Sequence, residues 1–169
     1  MGAEDDFDTF VRARNAGLLR AAWLLVGDWP AAEDLVQIAL ERLWPKWSKL
    51  PDEQQRLAYV HRILTTSFLR GRRRKWTAEI ATADLPEPEA RDGTDALAVR
   101  DGVLTAIRRL PPRQRAVIAL RYLADLTEPQ TAAALHCSVG TVKSYSSRAM
   151  SSLRADTGLL DLFAEETKP

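Results

Sequence analysis

Apolar residues recur at spacings of three and four along most of the chain, while sustained apolar–polar alternation is missing, so the pattern predicts helices rather than strands. The spacing predicts helices over about residues 7–26, 31–44, 53–76, 94–110, 113–123, 128–135 and 139–154. Gly27-Asp28-Trp29-Pro30 closes the first, Pro45 limits the second, a turn over 49–52 precedes the third, and Pro111-Pro112 breaks the chain before the fifth. In the second helix Ala32, Leu35, Val36, Ala39, Leu40, Leu43 and Trp47 fall on one face as a core stripe, and Asp34, Gln37, Ile38 and Glu41 on the opposite one. In the third, Leu57, Val60, Leu64 and Phe68 point inward, whereas Tyr59, Arg62, Thr66, Leu69, Arg70 and Arg73 project from the other side. Trp23, Trp29, Trp44 and Trp47 are expected in the core.

The last two helices carry the clearest local signals. Thr127-Glu128-Pro129-Gln130 has the form of a capping box, with proline in the first turn where amides lack intrahelical partners. A four-residue span, His136 to Val139, leads to the next helix, for which Ser138 supplies an N-cap. Its turn needs a positive φ that glycine usually provides, and His136 stands there instead, a residue type that enters that region more often than average. Ala132 is small where two helices must cross, and Val142 fills the cleft between them. Val139, Val142, Ser146, Ala149, Met150 and Leu153 share the inner face, and Lys143, Ser144, Ser147, Arg148 and Ser151 the outer. Two cations among small hydroxyls suit insertion into a phosphate-lined groove, and the spacing is that of a helix-turn-helix.

Charge changes the picture that net composition suggests. The formal net charge is only +1, but residues 1–45 carry four basic and eight acidic side chains, and residues 46–76 nine basic and two acidic. Residues 77–95 hold Arg91 against six acids, residues 96–155 nine basic and three acidic, and the tail is acidic again. Two basic blocks separated by an acidic segment point to a polyanion partner. Five cations occupy the six positions from Arg70 to Lys75, as a nucleic-acid backbone requires. Residues 77–93 combine two prolines, a glycine and many acids, the composition of an extended linker. The expected fold is therefore all-α: a helical domain at 1–76, an acidic flexible linker at 77–93, and a helix-turn-helix domain with a short tail at 94–169.

The chemistry of an enzyme is not visible. Carboxylates gather in the linker and termini rather than in a cluster, and the two histidines, His61 and His136, fall in different units. No catalytic residue, metal or cofactor is expected. Cys137 is the single cysteine and is expected to fill a small core gap. Apolar runs are too short to span a bilayer, and the N-terminus opens with acids, opposite to a secretory signal, so a cytoplasmic protein without membrane insertion is expected.

Taken in order, these segments resemble the extracytoplasmic-function (ECF) sigma factors, bacterial transcription-initiation subunits. Ala32-Glu33-Asp34-Leu35-Val36-Gln37 with Leu43-Trp44 resembles the family's polymerase-binding helix, and Tyr59-Val60-His61-Arg62-Ile63 before the arginine cluster its −10 helix. Leu110-Pro111-Pro112-Arg113-Gln114-Arg115 with Leu120-Arg121-Tyr122-Leu123 resembles the start of its fourth conserved region, and Ser138-Val139-Gly140-Thr141-Val142-Lys143-Ser144 its −35 helix. The resemblance implies binding of core RNA polymerase through Asp34, Gln37, Ile38 and Glu41. It implies reading of melted −10 DNA by Tyr59, Arg62, Thr66, Arg70, Arg73 and Arg74, and of the −35 duplex by Ser138, Thr141, Lys143, Ser144, Tyr145, Ser147 and Arg148. Thr66 stands where relatives often carry asparagine, and Tyr145 where many carry arginine, so base preferences do not transfer from the family. Relatives are often restrained by an anti-sigma factor, which makes such a protein a further expected partner. A stand-alone helix-turn-helix regulator, a nucleic-acid enzyme and a sigma-like antagonist are the competing readings.

Overall fold

A computed structural model describes residues 2–78 and 95–156, with side chains at 2–72 and 102–156. Its described residues form seven α-helices: α1 (Ala3–Val26), α2 (Trp29–Leu43), α3 (Glu53–Ala78), α4 (Asp95–Arg109), α5 (Pro112–Ile118), α6 (Glu128–Leu135) and α7 (Val139–Arg154). Local chemistry explains most boundaries. Gly27 ends α1 at φ 79° with its N–H on the Trp23 carbonyl, a left-handed cap that glycine adopts without strain. Asp28 then caps α2, its carboxylate accepting from the Ala31 N–H at 2.9 Å, and Pro30 sits in the first turn. Asp52 does the same for α3 through the Gln55 N–H at 2.7 Å.

Two irregular pieces depart from the expected pattern. Trp44–Lys49, past the expected end of the second helix, winds as a 3-10 helix, which turns Trp47 into the core behind the end of α2. The segment expected to continue α5 instead widens into a π-helix over Ala119–Leu123, leaving Tyr122 and Leu123 about half exposed. The Leu126 N–H bonds the Leu120 carbonyl at 3.0 Å, and Arg121 Nη1 donates to the Leu126 carbonyl, so the widened turn is held from within the chain.

α1, α2 and α3 enclose one core containing Phe10, Leu18, Leu25, Leu35, Val36, Leu43, Trp47, Val60, Leu64 and Phe68. The α2 stripe is buried as expected, with Leu40 at its margin. The tryptophans divide: Trp47 is buried, but Trp29 and Trp44 are 48% and 42% exposed, contrary to their expected place in the core. Trp29 begins α2 and stacks on Trp23 at the rim, ring centroids 5.6 Å apart, while Trp44 offers its edge to Phe7 at 5.0 Å. Both find ring partners at the surface rather than deep in the core.

The C-terminal helices have smaller cores. Ala116, Val117, Leu120, Leu126, Ala132, Leu135 and Val142 form one cluster, and Leu110, Ile118 and Ala149 another. Sequence periodicity does not foretell that this unit docks on the first. Ala119 of the π-helix belongs to the N-terminal core, and Ala58 and Leu69 of α3 pack against the C-terminal cluster. Arg115 lies in the seam, 7% exposed, donating to the Leu25 carbonyl at 2.6 Å and the Leu110 carbonyl at 3.4 Å beneath the Phe68 ring.

Candidate nucleic-acid interface

The helix-turn-helix is built by its end groups. Thr127 Oγ1 accepts from the Gln130 N–H at 3.2 Å, and Gln130 Oε1 accepts from the Thr127 N–H at 2.8 Å, completing the capping box that starts α6. His136 ends it at φ 53°, the positive value expected of that position. Ser138 Oγ then accepts from the Thr141 N–H at 3.1 Å and lies 2.9 Å from Thr141 Oγ1, so these two hydroxyls are tied to each other at the start of α7. Val142 and Ala149 are fully buried beneath α7, and Ala132 is buried in the same cluster as Val142. That packing turns Lys143, Ser144, Ser147, Arg148 and Ser151 outward, all exposed.

Two details refine this face. Tyr145 is half-buried and packs on the C-terminal core, so its ring is partly committed to the fold. Glu128 of α6 brings one carboxylate to 3.9 Å from Lys143 Nζ, an acid that the composition of α7 alone does not reveal. With the lysine side chain 64% exposed, this pair is well screened and leaves the ammonium available to a phosphate.

On α3, Arg62 and Arg70 are exposed and Thr66 is half-buried. The Thr66 hydroxyl is turned back on its own helix, donating to the Arg62 carbonyl at 2.8 Å with the Ile63 carbonyl at 3.3 Å, so that only its acceptor capacity is left. Tyr59 and Leu69, expected to project, are instead half-buried against the N-terminal core. The reason is geometric: α3 is covered by α1 and α2 on one side and by the C-terminal unit on another, so its free surface is narrower than a single core stripe implies. Arg73, Arg74 and the acidic linker lie outside the residues whose side chains are described.

A third surface lies on α2, where Asp34, Gln37, Ile38 and Glu41 are all exposed, Ile38 by 38%. Beside them runs a groove of about 420 Å³ walled by Phe7, Val11, Leu40 and Trp44 and edged by Asp8, Gln37 and Glu41. Sequence reasoning missed its apolar walls. Trp44 follows Leu40 by four residues at the edge of the α2 stripe, which is the signal that could have found it.

Burial shapes two titrations. His61 is 7% exposed, and burial pushes its imidazole down to about 4. Arg115 is lowered to about 10, first by burial and then by the nearby cations Arg72 and Arg108, so it stays charged at neutral pH. Among the described residues no group of three or more His, Cys, Asp or Glu side chains could hold a metal ion. No described helix is long and apolar enough to cross a membrane.

Comparison with known proteins matches the chain to a family. The Sigma-70 region 2 model matches residues 10–78, and the Sigma-70 region 4 model residues 100–153. An RNA polymerase sigma-E factor of Streptomyces coelicolor is 37% identical over 97% of this chain and 93% of its own. The chain is an ECF RNA polymerase sigma factor. A sigma-E factor of Streptomyces avermitilis is 36% identical to this sigma factor over 94% of it and 89% of the relative. Among solved structures, the sigma factor RpoE of Bartonella quintana, in complex with the anti-sigma factor NepR, matches with a TM-score of 0.65 at 25% identity. That match covers 92% of this sigma factor and 97% of the other chain. The region 2 match takes in α2 and α3, and the region 4 match takes in the helix-turn-helix, so each candidate surface falls within a matched region.

Proposed function

We propose that this sigma factor contacts core polymerase through Asp34, Gln37, Ile38 and Glu41. On this reading melted −10 DNA is read with Tyr59, Arg62, Thr66, Arg70, Arg73 and Arg74, and the −35 duplex with Ser138, Thr141, Lys143, Ser144, Tyr145, Ser147 and Arg148. One observation carries the reading: Lys143, Ser144, Ser147 and Arg148 are exposed together on a helix anchored from behind by fully buried Val142 and Ala149. Cations and short hydroxyls on a rigidly seated helix suit phosphates and base edges in a major groove. Ser138 and Thr141 serve chiefly to start α7 at the right angle, since their hydroxyls are engaged with each other.

The protein supplies recognition and no bond-making chemistry, and it works in the cytoplasm beside the polymerase. The residues 1–76 form the polymerase and −10 unit, 77–93 the tether, and 94–169 the −35 unit. A protein antagonist of the kind bound to the Bartonella relative is a further partner.

Reconstituted transcription with core polymerase tests this. Arg148→Ala and Lys143→Ala should each lower output from a −35-dependent promoter, Arg148→Ala by about ten-fold, the size of one lost charged base or phosphate contact. Both should leave unchanged a promoter that functions without a −35 element. Undiminished output from the double variant would remove α7 as the reader. Tight, specific duplex binding by the isolated chain would favour a stand-alone regulator instead.

A further inference from the structure

Gly27 has an evident reason to be glycine: its φ of 79° lies in the left-handed region, and a side-chain carbon there would collide with the Arg108 guanidinium. Gly140 has no such reason within the molecule. It is the second residue of α7, and its φ is not positive. A side-chain carbon built on it meets only Ser138 Oγ, at 3.7 Å, an ordinary contact. The start of the helix does not need its freedom either, because Ser138 already caps α7 through the Thr141 N–H. Glycine is among the poorest helix formers, so alanine would suit the fold better. The position of Gly140 shows what lies outside the chain to favour it. The residue is exposed and precedes Ser144, Ser147 and Ser151 by about one, two and three turns. It therefore stands on the midline of the outward face, with Lys143 to one side and Arg148 to the other.

In a helix-turn-helix the N-terminal residues of the second helix come nearest the base edges. A major groove is about 12 Å wide and a helix with its side chains about 10–12 Å across, so little slack separates them. The long side chains of Lys143 and Arg148 can reach phosphates from a helix that stands off. The short side chain of Ser144 reaches a base edge only when the backbone itself comes close. We propose that Gly140 is a positioning residue: there the backbone of α7 comes closest to the floor of the groove, and the missing side chain sets the depth at which Ser144 and Lys143 meet the bases. This rests on the −35 role of α7 proposed above. A methyl group on Gly140 fits the free protein and lifts the N-terminal end of α7 off the DNA. Stability and promoter reading then answer one substitution in opposite directions, which a purely structural role of the residue does not produce.

Gly140→Ala and Gly140→Leu in the full chain, reconstituted with core polymerase, test this beside a Lys143→Ala, Arg148→Ala double variant and Gly17→Ala. Gly17 is likewise an exposed helical glycine with open space around it. It belongs to α1, where it lines a cavity of about 400 Å³ between the two units together with Leu18, Leu57, His61, Leu104 and Leu123. By calorimetry Gly140→Ala should melt no lower than the parent. Its output from a −35-dependent promoter should nevertheless fall about ten-fold, and that of Gly140→Leu further. Output from a promoter that functions without a −35 element should be unchanged, and Gly17→Ala should match the parent on both. Parental output from Gly140→Leu would overturn the proposal, because the groove would then have room for a side chain. So would a lowered melting temperature for Gly140→Ala, which would give the glycine a reason inside the fold. Equal losses on both promoters, or an equal loss with Gly17→Ala, would overturn it as well. Loss by the double variant with none by Gly140→Leu would spare α7 as the reader and strike only the role of Gly140. Full output from the double variant would instead remove α7 as the reader, and the role of Gly140 with it.

Discussion

The two halves of this sigma factor reach stability by different routes. The N-terminal unit folds three helices of 24, 15 and 26 residues around large side chains, among them Phe10, Leu18, Leu43, Trp47, Leu64 and Phe68. The C-terminal unit uses helices of 7, 8 and 16 residues after α4, and Ala116, Ala124, Ala132, Ala134 and Ala149 make up much of its buried surface. A helix-turn-helix must bring two helices close enough to seat one in a groove, and small side chains at the crossing are the consequence. Small side chains remove little apolar area from water, so this unit depends more on capped ends, on turn geometry and on its neighbour. The half that reads duplex DNA is therefore the half with less of its own core.

Matched core truncations should expose the difference most strongly. Trp47 is 4% exposed, lies edge-on to Phe7 and Phe10 at 5.1 and 5.3 Å, and carries the Arg56 guanidinium 3.6 Å over its ring. Trp47→Ala should cost about 4 kcal/mol through lost burial and the cavity left behind. Val142→Ala, at an equally buried site of the C-terminal unit, should cost about 2 kcal/mol because only two methyl groups leave. Chemical denaturation followed by circular dichroism measures both. Equal losses would show that α7 is anchored as firmly as the large core, and the contrast would fail.

Acid should act chiefly on the N-terminal unit. Buried His61 is neutral in the fold and is pushed down to about 4, whereas in the unfolded chain it titrates near 6.5. Between those values the unfolded state binds more protons, so stability rises with pH across the window and is lost as pH falls from about 6.5 to 4. The full effect is roughly 3 kcal/mol, since each pKa unit corresponds to about 1.4 kcal/mol. His61→Leu should flatten the curve relative to the parent over that window, with the carboxylates common to both cancelling in the difference. Parallel curves would mean that His61 is hydrated through the adjoining cavity between the units.

How much of this was legible beforehand follows from where each feature gets its cause. The capping box at Thr127, the Ser138 cap, the positive φ of His136 and the outward face of α7 arise within a few residues of themselves, and the sequence pattern foretells them. The α2 stripe and the Val60–Leu64–Phe68 face are equally plain, because periodicity states which side is buried. It does not state against what. The docking of Arg115 on Leu25 joins residues 90 apart and has no local signature. Part of the burial of Leu69 comes from that docking and was hidden for the same reason, whereas Tyr59 packs against the N-terminal core alone, at the flank of the stripe. The π-helix at Ala119–Leu123 keeps an apolar spacing close to that of an α-helix, and one widened turn leaves too small a phase shift to read. The surface tryptophans look like core residues because their partners, Trp23 and Phe7, come from α1 rather than from their own helix.

The smallest expected effect is also the most diagnostic of the C-terminal unit's reliance on turn geometry. His136 holds φ 53° and ψ 46° while its N–H meets the Ala133 carbonyl at 3.4 Å and the Cys137 N–H meets that of Ala132 at 3.0 Å. A side-chain-bearing residue in this conformation gives up about 1–2 kcal/mol. Glycine removes that strain but loses more freedom on folding, by about 0.5–1 kcal/mol. His136→Gly should therefore stabilise the protein, by about 0.5 kcal/mol net, raising its melting temperature by about 1–2 °C. His136→Val should move the other way and by more, because β-branching is least compatible with positive φ. Neither sign depends on the large core, so calorimetry of the pair isolates the turn from everything that α1, α2 and α3 supply. If His136→Gly lowered the melting temperature, the imidazole itself would be holding the turn, and the reliance of this unit on backbone geometry would give way to one on a side-chain contact.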